Sequence, residues 1–325
     1  MQARLGRCGR RAALFFGLIS SWPLWLLSYP TIGEARGEWR SDYSLGTDYR
    51  RARFDWNIAG TFAGTSPNIL SELTWYELDI AQITAAAQIT LNDRLVLSGR
   101  AAYGAVVNGK NQDSDYDGDN RTLEFLRSNS KGGGDIGEAS IGLGYDFRTS
   151  VASTGQYVHV TPMVGYSRHL QYLKISDGRQ TIPPTGPLAN LDSNYNADWS
   201  GPWLGLNLRL EATDRTSVII AAEYHWADYY AEANWNLRDD LAHPVSFKHT
   251  TRGFGFIFSM ALSHAVTRHW DVLARMESQN WQGDPGIDTL YTINATTGVL
   301  QPAATRLNGV NWQSLSVGMA ATYHF

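Results

Sequence analysis

The closing segment, Leu315 to Phe325, narrows the possible folds more than any other part of the chain. Counting back in twos from Phe325 gives Tyr323, Ala321, Met319, Val317 and Leu315, an unbroken apolar row. The intervening His324, Thr322, Ala320, Gly318, Ser316 and Ser314 are small or polar. Successive side chains of a strand point to opposite faces, so the segment has one apolar face and one that tolerates water. A strand of a soluble sandwich can carry the same pattern. The length, however, matches the roughly 9–11 residues with which a tilted strand crosses a bilayer.

An aromatic residue closing such a strand resembles the ending of bacterial outer-membrane proteins, and the other end agrees with export. Arg4, Arg7, Arg10 and Arg11 precede an apolar run from Ala12 to Leu27, and Gly33-Glu34-Ala35 offers a small-x-small site. This layout predicts a signal peptide over 1–35, cleaved after Ala35, with a mature region from 36 to 325. The single cysteine, Cys8, falls in the leader, so the mature region has neither disulfide nor thiolate chemistry. The 31 Gly, 16 Tyr and 12 Trp suit a barrel. After the leader no stretch approaches the ~18 continuous apolar residues of a membrane helix. A membrane protein this polar must alternate, with polar side chains turned into a lumen. The net charge of −4 points to no nucleic-acid role.

Ten strand-like runs lie near 39–57, 72–91, 94–108, 135–149, 156–174, 201–211, 217–236, 246–263, 269–282 and 311–325. Short links such as Asn92-Asp93 alternate with long polar links around 58–71, 109–134, 175–200, 237–245 and 283–310. Short periplasmic turns, longer external loops and an even strand count are the rules for outer-membrane barrels. The predicted class is all-β: a single ten-stranded antiparallel transmembrane β-barrel with long extracellular loops. Glu77 and Asp79 are expected on the lumen side, and Tyr224, Trp226, Tyr229, Tyr230 and Trp235 in an interfacial aromatic girdle.

Local segments resemble the omptins, outer-membrane proteases with ten strands. Ser44-Leu45-Gly46-Thr47 matches the family's opening strand, and Ser71-Glu72-Leu73-Thr74-Trp75 is similar to its Ser-Gln-Leu-Asp-Trp. Gly165-Tyr166-Ser167-Arg168 resembles part of the fifth strand, and Pro202-Trp203-Leu204-Gly205-Leu206 the family's Pro-Tyr-Ile-Gly-Leu. The matches follow family order over nearly the whole mature region.

The resemblance implies an endopeptidase site made of an Asp-x-Asp on the second external loop and an Asp-Glu-His on the fourth, with no cofactor and no metal. A His near pKa ~6.5, oriented by a carboxylate, can accept a proton from water at neutral pH. Asp115-Tyr116-Asp117 falls on the first motif. Aligning Pro244 with the family's proline sets Asp239-Asp240-Leu241 on the second, so Leu241 takes the His position. His243 lies two residues later, about 13 Å from Asp239 along an extended chain. The implied catalytic set is therefore Asp115, Asp117, Asp239 and His243. A competing reading of the first loop is calcium binding: Asp113, Asp115, Asp117, Gly118 and Glu124 fit part of that loop pattern. At the acidic position that selects basic substrates an ungapped match sets Phe54, and Asp55 would need a slip that turns it to the other face.

The alternatives are a non-catalytic barrel of the same fold, acting as an adhesin or structural surface protein, and a small passive pore. The partners the resemblance implies are outer-membrane lipid, lipopolysaccharide, and either a polypeptide substrate or a host surface ligand.

Overall fold

The computed structural model describes residues 38–150 and 156–325. The expected leader lies outside the described residues. Thirteen strand segments run β1 Trp39–Ile58, β2 Ser71–Leu91, β3 Leu95–Gly118, β4 Thr122–Tyr145, β5 Phe147–Ser150, β6 Tyr157–Ile182 and β7 Gly186–Pro187. They continue as β8 Asp192–Thr213, β9 Thr216–Asn234, β10 Phe247–Ala265, β11 Trp270–Gly283, β12 Gly286–Ile293 and β13 Leu300–His324. β5 prolongs β4 beyond Asp146, and β12 prolongs β11 beyond Asp284-Pro285. β7 is a two-residue pairing within a loop. The result is a ring of ten antiparallel staves. It closes where β1 meets β13, from Asp42 opposite His324 to Ile58 opposite Leu307.

Alternation explains the wall. Leu315, Val317, Met319 and Phe325 are exposed, whereas Ser314, Ser316, Ala320 and Thr322 are buried. A lower aromatic band includes Trp39, Tyr43, Trp270 and Phe325, and an upper one Tyr49, Tyr103, Tyr166 and Trp226. Leu45, Ile83, Val164 and Leu206 fill the stretch between. Such bands mark the two interfaces of a bilayer. Of the predicted girdle, Tyr224, Trp226 and Tyr230 do face outward, but Tyr229 is buried and Trp235 packs against the core. Adjacent residues of a strand cannot share a face.

Two further expectations are corrected. Glu77 and Asp79 sit on the outer wall: Glu77 adopts φ 51° in a bulge, so both Trp75 and Leu78 turn inward. Lys110 pairs with Glu77 at 2.7 Å, and Tyr49 and Asn108 donate to Asp79. Much of the polar links 109–134, 175–200 and 283–310 is also strand, paired as tall hairpins. Above the bilayer both faces meet water, so the period-2 signal fades while backbone pairing continues.

The lumen is layered. Near the top, Phe54, Trp56, Trp75, Tyr195, Phe247 and Trp312 form a buried cluster, with Trp199 and Trp281 below. Under it, Arg50 is 1 % exposed and pairs with Glu138 and, at 3.3 Å, with Glu277. Arg100 joins Glu277 at 3.0 Å and reaches Glu223 at 3.9 Å, while Gln279 donates to Glu138 and Glu277. Arg275 forks onto Asp48 at 2.8 and 2.6 Å.

That fork requires Gly318. A Cβ on Gly318 would overlap the Asp48 carboxylate directly opposite it. Gly318→Val is expected to destabilise the barrel by on the order of 1–3 kcal/mol, as overpacking does. The outward Met319→Leu is expected to be silent. Circular-dichroism melting and the heat-dependent gel shift of the folded band measure both.

Candidate functional site at the barrel mouth

The upper end of β3 carries Asn111, Asp113 and Asp115 on one face, set opposite Trp75, Leu73 and Ser71 of β2. Asn111 is fully buried, and the two carboxylates above it are half-buried. The link between β9 and β10, residues 235–246, closes over them. Its Arg238 forks onto Asp240, with Nε and Nη2 both at 2.7 Å, and its charge acts on Asp113 and Asp115 as well. Withdrawal from water pushes the Asp113 carboxyl well above the usual carboxylate range, and the Asp115 charge adds to the rise. Arg238 and a hydrogen bond from Trp235 offset part of it. Asp115 is raised by the same withdrawal, opposed by a hydrogen bond from Ser71 and by Arg238.

The residues that the family pattern indicates are only partly brought together. Asp115 faces inward, but its inward companion is Asp113, whereas Asp117 is exposed at the strand end. Asp239 is exposed. His243 is held within its own loop, Nδ1 at 2.6 Å from the Asn234 amide oxygen and Nε2 at 3.3 Å from the Arg238 carbonyl. Among the described residues no carboxylate comes within ion-pair distance of His243. Leu241 is 2 % exposed, bridged through its backbone to Thr292. Phe54 is fully buried among Trp75, Tyr195 and Trp312. Asp55 turns away to accept hydrogen bonds from Arg53 and Asn311.

The calcium pattern does not assemble either. Glu124 is forked onto Arg127 at 2.8 and 2.5 Å, and Asp119 accepts the Asn68 amide. Among the described residues no group of three or more acidic, His or Cys side chains is placed to hold a metal.

Two polar clusters escaped sequence reasoning. Tyr229, Tyr195 and His249 form a chain of hydrogen bonds at 2.6 and 2.8 Å, and the far ring nitrogen of His249 lies 3.2 Å from Asp288 without a hydrogen bond between them. Deeper, Ser167 contacts His225 at 2.9 Å and His225 contacts Glu223 at 3.1 Å. This has the order of a hydrolytic triad, but Ser167 and His225 are 2 % and 1 % exposed, so a substrate has no approach. Separation along the chain hid both clusters. Asp113 could have been found from its parity with Asn111 and Asp115.

Comparison with known proteins now places the chain. A family described as Protochlamydia outer membrane protein matches it over residues 44–325. The chain belongs to this family. Among curated proteins there is no match. Its fold is similar to that of the outer membrane protease OmpT from Escherichia coli, with a TM-score of 0.70 and 13 % identity over 91 % of this chain and 99 % of that one. A looser likeness, with a TM-score of 0.36, is to the translocator domain of the autotransporter NalP from Neisseria meningitidis, 11 % identical over 88 % of each chain. This member of the Protochlamydia outer membrane protein family is thus an omptin-like barrel of the outer membrane. By the rule that short turns and termini lie inside, the mouth with Asp113 and Asp115 faces outward from the cell.

A carboxyl whose folded pKa exceeds its unfolded value costs stability in full above the folded pKa; the cost shrinks as pH falls below that value and is gone below the unfolded pKa. Asp113→Asn is therefore expected to stabilise this family member at about pH 7.5, by on the order of 1 kcal/mol. Thermal melts at decreasing pH are expected to show the two proteins converging.

Proposed function

We propose that this barrel is a non-catalytic surface protein of omptin-like fold that acts through its external hairpins as an adhesin or structural element. The observation that carries this reading is His243, whose two ring nitrogens are engaged by Asn234 and the Arg238 carbonyl rather than by a carboxylate. A general base must reach the proton it removes within hydrogen-bond distance or through one water. Leu241 packed at the position aligned with the family histidine, and Phe54 at the acidic specificity position, support the same reading. The aromatic cluster across the upper lumen speaks against a passive pore.

The alternative is an endopeptidase built on Asp115 and Asp117 at one wall and Asp239 and His243 at the other. It draws on the likeness to a protease fold and on the two inward carboxylates at the mouth, whose raised affinity for protons suits shared charge. Polypeptide would then be the substrate, and a host surface ligand is the partner under the first reading. Lipopolysaccharide is a proposed partner in either case.

Refolded protein, supplied with lipopolysaccharide and a quenched-fluorescence peptide library, is expected to show no cleavage above a buffer control. Cleavage that disappears in both Asp115→Asn and His243→Ala would overturn the non-catalytic reading in favour of the endopeptidase. Discrete conductance steps in a planar bilayer would overturn it in favour of a pore.

A further inference from the structure

Below the ionic layer the lumen is hollow. A cavity of about 270 Å³ occupies the lower barrel, walled by Arg100, Glu223, Arg209, Asp271, Asp42 and His324 among others. Arg209, Asp271 and His324 also line a larger recess at the rim that holds the short turns and the C-terminus. The cavity therefore opens toward the periplasm.

The charges on its wall are unevenly satisfied. Asp42 takes a contact from His324 at 2.7 Å, and Asp271 from Ser263 at 2.8 Å and from His324 at 3.3 Å. Glu223 is held by His225 and Arg100. The other inward arginines are paired as well: Arg50 with Glu138, Arg100 with Glu277, Arg275 with Asp48. Arg209 alone among these inward-facing guanidinium groups has neither hydrogen bond nor ion pair within the described residues. Every acid named on the cavity wall thus has a partner, and one fork of N–H donors does not.

A guanidinium presents its donors in a plane that matches a carboxylate or phosphate edge, and two such bonds to a charged acceptor are strong and directional. Its surroundings are suited to a small polar guest: Ser98, Ser140 and Asn207 line the cavity as further donors. The volume lies just below the usual range of ligand sites, enough for an ion of a few heavy atoms and too little for an acyl chain. We propose that the lower lumen is a periplasm-facing binding site for a small soluble oxyanion, a phosphate or a short dicarboxylate, received by Arg209. This is independent of whether the outer mouth is catalytic.

Isothermal titration of the folded full barrel in a zwitterionic detergent tests it, with inorganic phosphate and with succinate as probes. At least one is expected to bind saturably with one site per barrel. Arg209→Gln is expected to weaken that binding at least tenfold, Arg209→Lys less, and Arg252→Gln, an exposed guanidinium on the outer wall, not at all. The heat-dependent gel shift establishes that each variant is folded. Absence of saturable binding by both probes, or equal affinity in folded Arg209→Gln, overturns the proposal. So does binding of a short-chain phosphatidic acid but of neither free anion, which would assign the cavity to a lipid headgroup.

Discussion

Arg50 holds the interior of this barrel together. A guanidinium with almost no exposure, set halfway down a lumen, is tolerable only if its charge is met from several sides. Glu138 on β4 and Glu277 on β11 meet it, and Arg100 on β3, Glu223 on β9 and Gln279 on β11 extend the contacts across the ring. Hydrogen bonds along the wall join only neighbouring staves. This network joins staves on opposite sides, and the aromatic cluster rests directly on it. Removing one member of such a set leaves a buried charge unanswered, which costs more than the pair itself supplies.

The membrane-spanning part of the fold was legible in the sequence because lipid enforces the alternation that reveals it. Leu315 to Phe325 alternates in the structure as it does on paper, and it pairs with Ser44 to Thr47, the segment that matches the family's opening strand. Legibility stops where lipid stops. The upper hairpins of β3, β4, β6 and β8 carry no clean period, so they read as loops. Leu78, Ile80 and Gln82 turn into the lumen rather than toward lipid, which leaves Asp79 outside, and the left-handed residue at Glu77 changes the phase so that Trp75 and Leu73 turn inward above it. A bulge of this kind leaves no mark in composition or spacing.

The mouth was legible by halves. Asp115 was found through the family pattern, yet its structural companion proved to be Asp113, since the pattern records sequence neighbours and not which of them faces inward. Arg238 is not legible as a member of the mouth, because nothing in the sequence says that the link after β9 leans over β3. Leu241 and Phe54, in contrast, were visible as departures from the family from the start. The structure gives each a physical place, with both fully packed.

The inner face of β13 below Trp312 carries only Ser314, Ser316, Gly318 and Ala320 before Thr322. Large inward side chains are thus concentrated on the other staves, with the seam strand left nearly bald. A stave without bulk on its inner face can slide along its neighbours without threading a side chain through the occupied interior. The ring can be sealed last, like a zip drawn over a case already packed, and a shift in register during sealing would be opposed mainly by Trp312 and by the pairing of Asp42 with His324.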